Sequence, residues 1–122
     1  MLSKGENTIS EILKEKNIKF QKQYTFQDCL GKRGNKYRFD FAIFDDDNKL
    51  LGLIEYDGIQ HFKNSDYDSS WNTEKACQET KERDVYKTQY CKDKNIPLLR
   101  IPYTLSLKED ISKKIDEFFM NF

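Results

Sequence analysis

Long apolar runs are missing from this 122-residue chain; none exceeds a few residues, far short of the roughly 20 needed to cross a bilayer, so no membrane span is expected. Cysteine is scarce. Cys29, Cys77 and Cys91 are odd in number and widely spaced, which argues against a disulfide framework and for a reducing compartment. The opening MLSKGENTIS lacks the apolar stretch of a signal peptide, so a cytoplasmic domain is expected. An excess of charge of one sign is also missing: 21 Lys and Arg balance 21 Asp and Glu, which on its face argues against strong affinity for nucleic acid. Repeats, low-complexity tracts and linkers are absent too, so residues 1–122 are read as a single domain.

What is there starts with aromatics. Hydrophobic residues make up only 37% of the chain, but nine Phe, seven Tyr and one Trp supply enough area per side chain for a small core. Charge is unevenly spread. Residues 1–38 hold nine basic and four acidic side chains, and residues 39–122 hold twelve and seventeen. That division fits a phosphate-contacting surface beside a carboxylate cluster, and it equally fits an uneven solvated surface.

Periodicity gives the elements. Ile9, Ile12 and Leu13 predict a helix over 6–17, and Ile18, Phe20, Tyr24 and Phe26 on even positions predict a strand over 18–27. Residues 28–36 read as a glycine-containing basic loop. Residues 37–44 and 50–57 predict strands joined by a hairpin turn at DDDNK. Residues 58–73 are polar and read as irregular, followed by a helix over about 74–94 capped by Asn72 or Thr73. A strand over 96–103 ends at Pro102, and Ser106 with Glu109 has capping-box spacing ahead of a last helix carrying Ile111, Ile115, Phe118 and Phe119. The expected architecture is α/β, a mixed central β-sheet flanked by helices, in the order α-β-β-β-α-β-α.

Alternation decides which side chains meet. Tyr37, Phe39, Phe41 and Ile43 are expected on one face, leaving Asp40 on the other, while Glu55 and Asp57 share a face with Leu51 and Leu53. If Asp45 and Leu50 close the turn, Asp40 lies directly across from Glu55. Carboxylates so close repel unless neutralised, and Mg²⁺ binds through one or two carboxylates plus water and phosphate oxygens. Asp45, Asp46 and Asp47 are better explained as turn residues. His61, the only histidine, is either a general base beside a metal-bound water or a surface residue at the start of a loop.

Asp84 falls in line with Cys77 and Cys91 on its helix, flanked by Ala76 and Thr80 in a stripe of small residues. An acid there needs a partner: His61, an Arg or Lys, a metal-bound water, or a basic neighbour such as Lys81 or Lys87. Lys32, Arg33, Lys36 and Arg38 read either as a phosphate-binding surface or as a solvated connection. Trp71 and Tyr67 could stack on bases or pack as a lid over the core.

The spacing D-x(14)-E-Y-D-G-I-Q-H from Asp40 to His61, then R-D-V-Y-K at 83–87 and N-I-P-L-L-R-I-P-Y at 95–103, resembles the very-short-patch-repair endonuclease branch of the PD-(D/E)XK nucleases. Within it the chain is most similar to phage-type homing endonucleases described by an E-D-x-H-D residue set, over roughly residues 5–103. The resemblance implies a restriction-endonuclease-like fold, Asp40 as principal metal ligand and Glu55 as the second acid. Asp57 stands where most members have Lys. The resemblance makes His61 the proton-transfer residue, Asp84 its orienting or metal-assisting partner, and Glu6 the acid of the first helix. Zinc sites built from Cys and His are common in that branch; without any C-x-x-C, no structural zinc is expected here.

The expected function is therefore Mg²⁺-dependent hydrolysis of phosphodiester bonds, with Mn²⁺ able to substitute, DNA as the partner and no membrane. Two other expectations stand beside it. One is a nuclease-fold binding or inhibitory module without useful catalysis, in phage–host conflict. The other is a catalytic chain that needs a homodimer or a partner subunit for DNA affinity, which zero net charge allows.

Overall fold

Ile9, Ile12 and Leu13 fall on one stripe of the first helix, α1 (Lys4–Glu15), and all three are buried. The structure, a computed structural model, describes residues 4–31, 33–57 and 71–120, with the backbone alone over 71–80. After α1 come β1 (Lys19–Leu30), β2 (Lys36–Phe44), β3 (Leu50–Asp57), α2 (Trp71–Asp93), β4 (Leu98–Pro102) and α3 (Lys108–Phe119). The element order is the one read from the sequence. The sheet runs β1-β2-β3-β4, antiparallel across the first two junctions and parallel between β3 and β4. A parallel pair needs a long crossover, and α2 lies within it. No helix among the described residues is long and apolar enough to cross a membrane.

Helices cover both faces of the sheet. One core joins α1 and α3 to Phe41, Ile43, Ile54 and Ile101. The other joins Tyr90 and Cys91 of α2 to Cys29, Phe39, Ala42 and Leu53. The expected single face for Tyr37, Phe39, Phe41 and Ile43 is therefore wrong: the first two pack on the α2 side and the last two on the other. The same division separates Ile18 and Phe20 from Tyr24 and Phe26 on β1. Both strands change faces at one level. The ladder pairs Lys22 with Phe41 and Tyr24 with Phe39, and between them Gln23 has φ 53°, facing Asp40. A residue in the left-handed region breaks the two-residue alternation, and a hydrophobic pattern alone does not reveal it. A second irregularity, near the β2–β3 turn, puts Leu51 on the α1 side and Leu53 on the other.

Several boundaries move for identifiable reasons. β1 runs on to Leu30, so the expected loop over 28–36 shortens to the turn closed by Gly31 N–H on Asn35 O at 2.7 Å. Helix α2 begins at Trp71, which places Asn72 and Thr73 inside it rather than at its cap; the rest of the stretch expected to be irregular, 58–70, lies outside the described residues. Leu107, not Ser106, caps α3 and makes no side-chain cap bond; Glu109 is then the second helical residue, so the capping box does not form. Asn17 and Asn95, both with φ 58°, end α1 and α2. In each case the next residue's N–H reaches back, Ile18 to Leu13 O and Ile96 to Cys91 O. The Asp45 carboxylate accepts the N–H groups of Asp47 and Lys49, as a turn aspartate does.

Candidate functional site

The β2–β3 hairpin brings two acids together. Its register pairs Phe41 with Ile54, Ala42 with Leu53 and Ile43 with Gly52, and one further step sets Asp40 across from Glu55. Asp40 Oδ2 accepts the Tyr56 N–H at 2.7 Å, which fixes the carboxylate at the mouth of the hairpin. The Asp40 and Glu55 carboxyls are close enough for each to shift the other's titration. Burial pushes both groups above the usual carboxylate range, and Glu55, only 5% exposed, is pushed up to about 7.

Two helices complete this cluster. Lys87 of α2 is 6% exposed, pairs through its ammonium with Glu55 Oε1, and donates to Arg38 O at 2.5 Å. Its nitrogen also lies 4.7 Å from the centre of the Phe39 ring. Apart from that ion pair, Glu55 Oε1 is buried with no hydrogen bond among the described residues. On the other side, burial and then the charge of Glu55 raise the Glu6 carboxyl. Gly5 makes that approach feasible: a Cβ there would sit 2.3 Å from Tyr56 Cε1, so only glycine lets α1 lie against this ring.

Asp57 has a different partner. Arg100, beside Glu55 on the parallel strand β4, donates from Nη1 to Asp57 Oδ1 at 3.0 Å. Its Nη2 donates to Asp84 O at 3.1 Å and Thr88 Oγ1 at 2.9 Å, and Nη1 lies 3.9 Å from Asp84 Oδ1. Asp57, Asp84 and Arg100 line a cleft of about 380 Å³ between α2 and the carboxyl ends of β3 and β4. The expected convergence of Asp40, Glu55 and Asp57 is thus met by the first two, while Asp57 turns to the guanidinium.

The other sequence-derived residues divide by position. Lys36 and Arg38 are exposed on β2, ahead of Asp40, and Arg33 is exposed in the preceding turn. Lys32, His61 and Tyr67 lie outside the described residues, as do the side chains of Trp71, Ala76, Cys77 and Thr80. Among the described residues no group of three or more His, Cys, Asp or Glu is arranged to hold a metal ion. Lys87 and Arg100 were not singled out from the sequence as site residues. Lys87 did have a signal: it lies three residues after Asp84 and four before Cys91, on the inward stripe of α2. Arg100 had another, as the only charged residue of β4.

Chemically, the hairpin mouth is a compact set of hard oxygen donors with a fixed ammonium, next to a cleft that is polar on its sheet side. Such a set can exchange protons and can hold a divalent cation. Comparison with known proteins yields no matching curated protein and no matching solved structure. A family model does match residues 8–118, and the chain belongs to that family, described as Protein of unknown function (DUF2726).

Proposed function

We propose that this chain is a metal-dependent endonuclease of the PD-(D/E)XK type, with a restriction-endonuclease-like fold, that hydrolyses phosphodiester bonds in cytoplasmic DNA. The observation that supports it best is the buried Asp40–Glu55 pair at the mouth of the β2–β3 hairpin, with both carboxyls raised. The donor set fits a divalent ion: the hairpin brings the carboxyls of Asp40 and Glu55 together, Glu55 Oε1 has only the Lys87 ammonium as its ion-pair partner, and carboxylate oxygens suit Mg²⁺ or Mn²⁺. Asp40 and Glu55 would hold that ion, and when bound it would polarise the scissile phosphate and steady the leaving oxygen.

The chain's own residues have the remaining tasks. Tyr56 N–H orients Asp40, Lys87 holds Glu55, and the Glu6 carboxyl adds negative charge beside them. Arg100 fixes Asp57 and reaches Asp84 across the cleft. The proton transfer is assigned to His61, which follows Asp57 by four positions in the sequence and lies outside the described residues. Lys36 and Arg38, exposed on the part of β2 that leads to Asp40, bind the phosphate backbone.

One observation favours a second reading, a binding module without turnover: Glu55 and Asp57 already have cationic partners in Lys87 and Arg100. A plasmid-nicking assay separates the two. The nuclease reading expects nicked or linear product with Mg²⁺ or Mn²⁺, none with EDTA, and none from Asp40→Asn. Retention of plasmid on a gel without any cleavage in either metal would favour the binding module.

A further inference from the structure

Lys87 is the one cation among the described residues with its nitrogen inside the carboxylate cluster, and three separate contacts hold it there. Its ammonium pairs with Glu55 Oε1, donates to Arg38 O at 2.5 Å and lies over the Phe39 ring at 4.7 Å. Two of these contacts do not involve an acid, so the ammonium stays in place even when Glu55 is engaged elsewhere. It comes from α2, across the sheet from the helix that supplies Glu6. Position 57, where a lysine of the strand would have stood, holds an acid that Arg100 neutralises.

We infer that Lys87 is a charge-setting and positioning residue of the cation site: it presents Glu55 to Asp40 and biases the site toward a divalent over a trivalent ion. The inference rests on the metal reading above and deepens it. The Lys87 ammonium, paired with Glu55 Oε1, offsets one carboxylate charge at the point where Asp40 and Glu55 meet. Removing it leaves the site one charge more negative, which favours a trivalent ion over a divalent one. Coulomb energy scales with the product of charges, so a fixed positive charge opposes a trivalent ion half as much again as a divalent one. Selectivity between the two therefore reports charge, whereas a merely structural defect weakens both together.

The test is competitive binding of Tb³⁺ and Ca²⁺ to the full chain at one neutral pH. Tb³⁺ is followed by its luminescence and Ca²⁺ by displacement. Wild type is expected to take one ion per chain, and Asp40→Asn to lose it. Lys87→Met should raise the ratio of Tb³⁺ to Ca²⁺ affinity by about tenfold or more. Lys87→Arg, which keeps the charge, should restore the wild-type ratio. Should Lys87→Met fail to fold, Lys87→Gln keeps a donor for Arg38 O while removing the charge, and it carries the same expectation.

A ratio in Lys87→Met or Lys87→Gln within about twofold of wild type overturns the inference, as does a Lys87→Arg protein that behaves like the methionine variant. If Asp40→Asn binds ions as well as wild type, both the inference and the metal reading fall. No turnover is measured, so the nicking assay can fail without touching this result, and the two readings are tested apart.

Discussion

Burying a carboxyl group disfavours its charged form, and Glu55 shows this in its titration: burial, with the neighbouring Asp40, raises it to about 7 against the attraction of Lys87. The sign for stability follows. A raised folded-state pKa means the folded chain binds the proton more tightly than the unfolded one. Its stabilising contribution is complete below the ordinary value of 4.5 and is lost as pH rises through about 7. The loss is on the order of 3 kcal/mol. Glu55→Gln cannot titrate, so the stability of wild type relative to this variant should fall over that window. Urea denaturation of both proteins across the range measures it, and a difference that stays flat with pH would remove Glu55 as the proton-binding acid. At Asp40 the isosteric Asp40→Asn should lower metal-dependent cleavage at least about 100-fold while the fold persists. Wild-type nicking rates in that variant would refute the assignment. The meeting of these two acids was expected from a turn closed by Asp45 and Leu50; the turn closes between Asp45 and Lys49 instead, and the register shift between Ile43 and Phe44 restores the pairing that sets Asp40 across from Glu55. Lys87 was not expected there, because only the packing of α2 on the sheet brings position 87 to position 55.

Elements fix these residues through two local features, neither of which a hydrophobic pattern records. The shared face of Phe41 and Ile43 was read correctly, but the change of face at Gln23 and Asp40 and the irregularity that parts Leu51 from Leu53 were missed. Glutamine gives no sign that its φ will be 53°; that conformation is imposed by packing on both faces of the sheet. The other feature is the contact of α1 with β3 at Gly5. Alanine is the better helix former by about 1 kcal/mol, which alone would make Gly5→Ala stabilising. Against this, the new Cβ would lie 2.3 Å from a Tyr56 ring carbon, and the ring or the helix must move. Overpacking of this kind costs roughly 1–3 kcal/mol, and Gly5 sits in the first turn, where the propensity gain is smallest. The clash should win. Gly5→Ala is expected to lower Tm by several degrees and to weaken metal binding, since Glu6 moves with the helix. An unchanged or higher Tm would mean that Tyr56 swings away freely and that α1 is not seated by this contact.

At the scale of the whole molecule, equal numbers of acidic and basic residues leave no net charge to draw in DNA, so affinity must come from a local surface. The exposed basic residues on β2, Lys36 and Arg38, lead along one strand to Asp40, and Arg33 stands in the turn before them. On duplex DNA each phosphate contact adds about −0.9 to the slope of log K against log salt. A handful of contacts then gives weak binding with a slope of roughly −3 to −5. Lys36→Ala with Arg38→Ala should weaken binding alike on every sequence and flatten the slope by about two units. The fold should tolerate this change, because Lys87 bonds to the Arg38 carbonyl and not to its side chain. Ca²⁺ should tighten binding in wild type and in the double variant, since it cancels carboxylate charge next to the phosphates. Fluorescence anisotropy over a salt series, with and without Ca²⁺, reads both effects. A slope that does not change in the double variant would make Lys36 and Arg38 solvated strand residues and send the DNA path elsewhere. A slope that flattens while Ca²⁺ has no effect would keep the strand as the DNA contact but separate it from the Asp40–Glu55 pair.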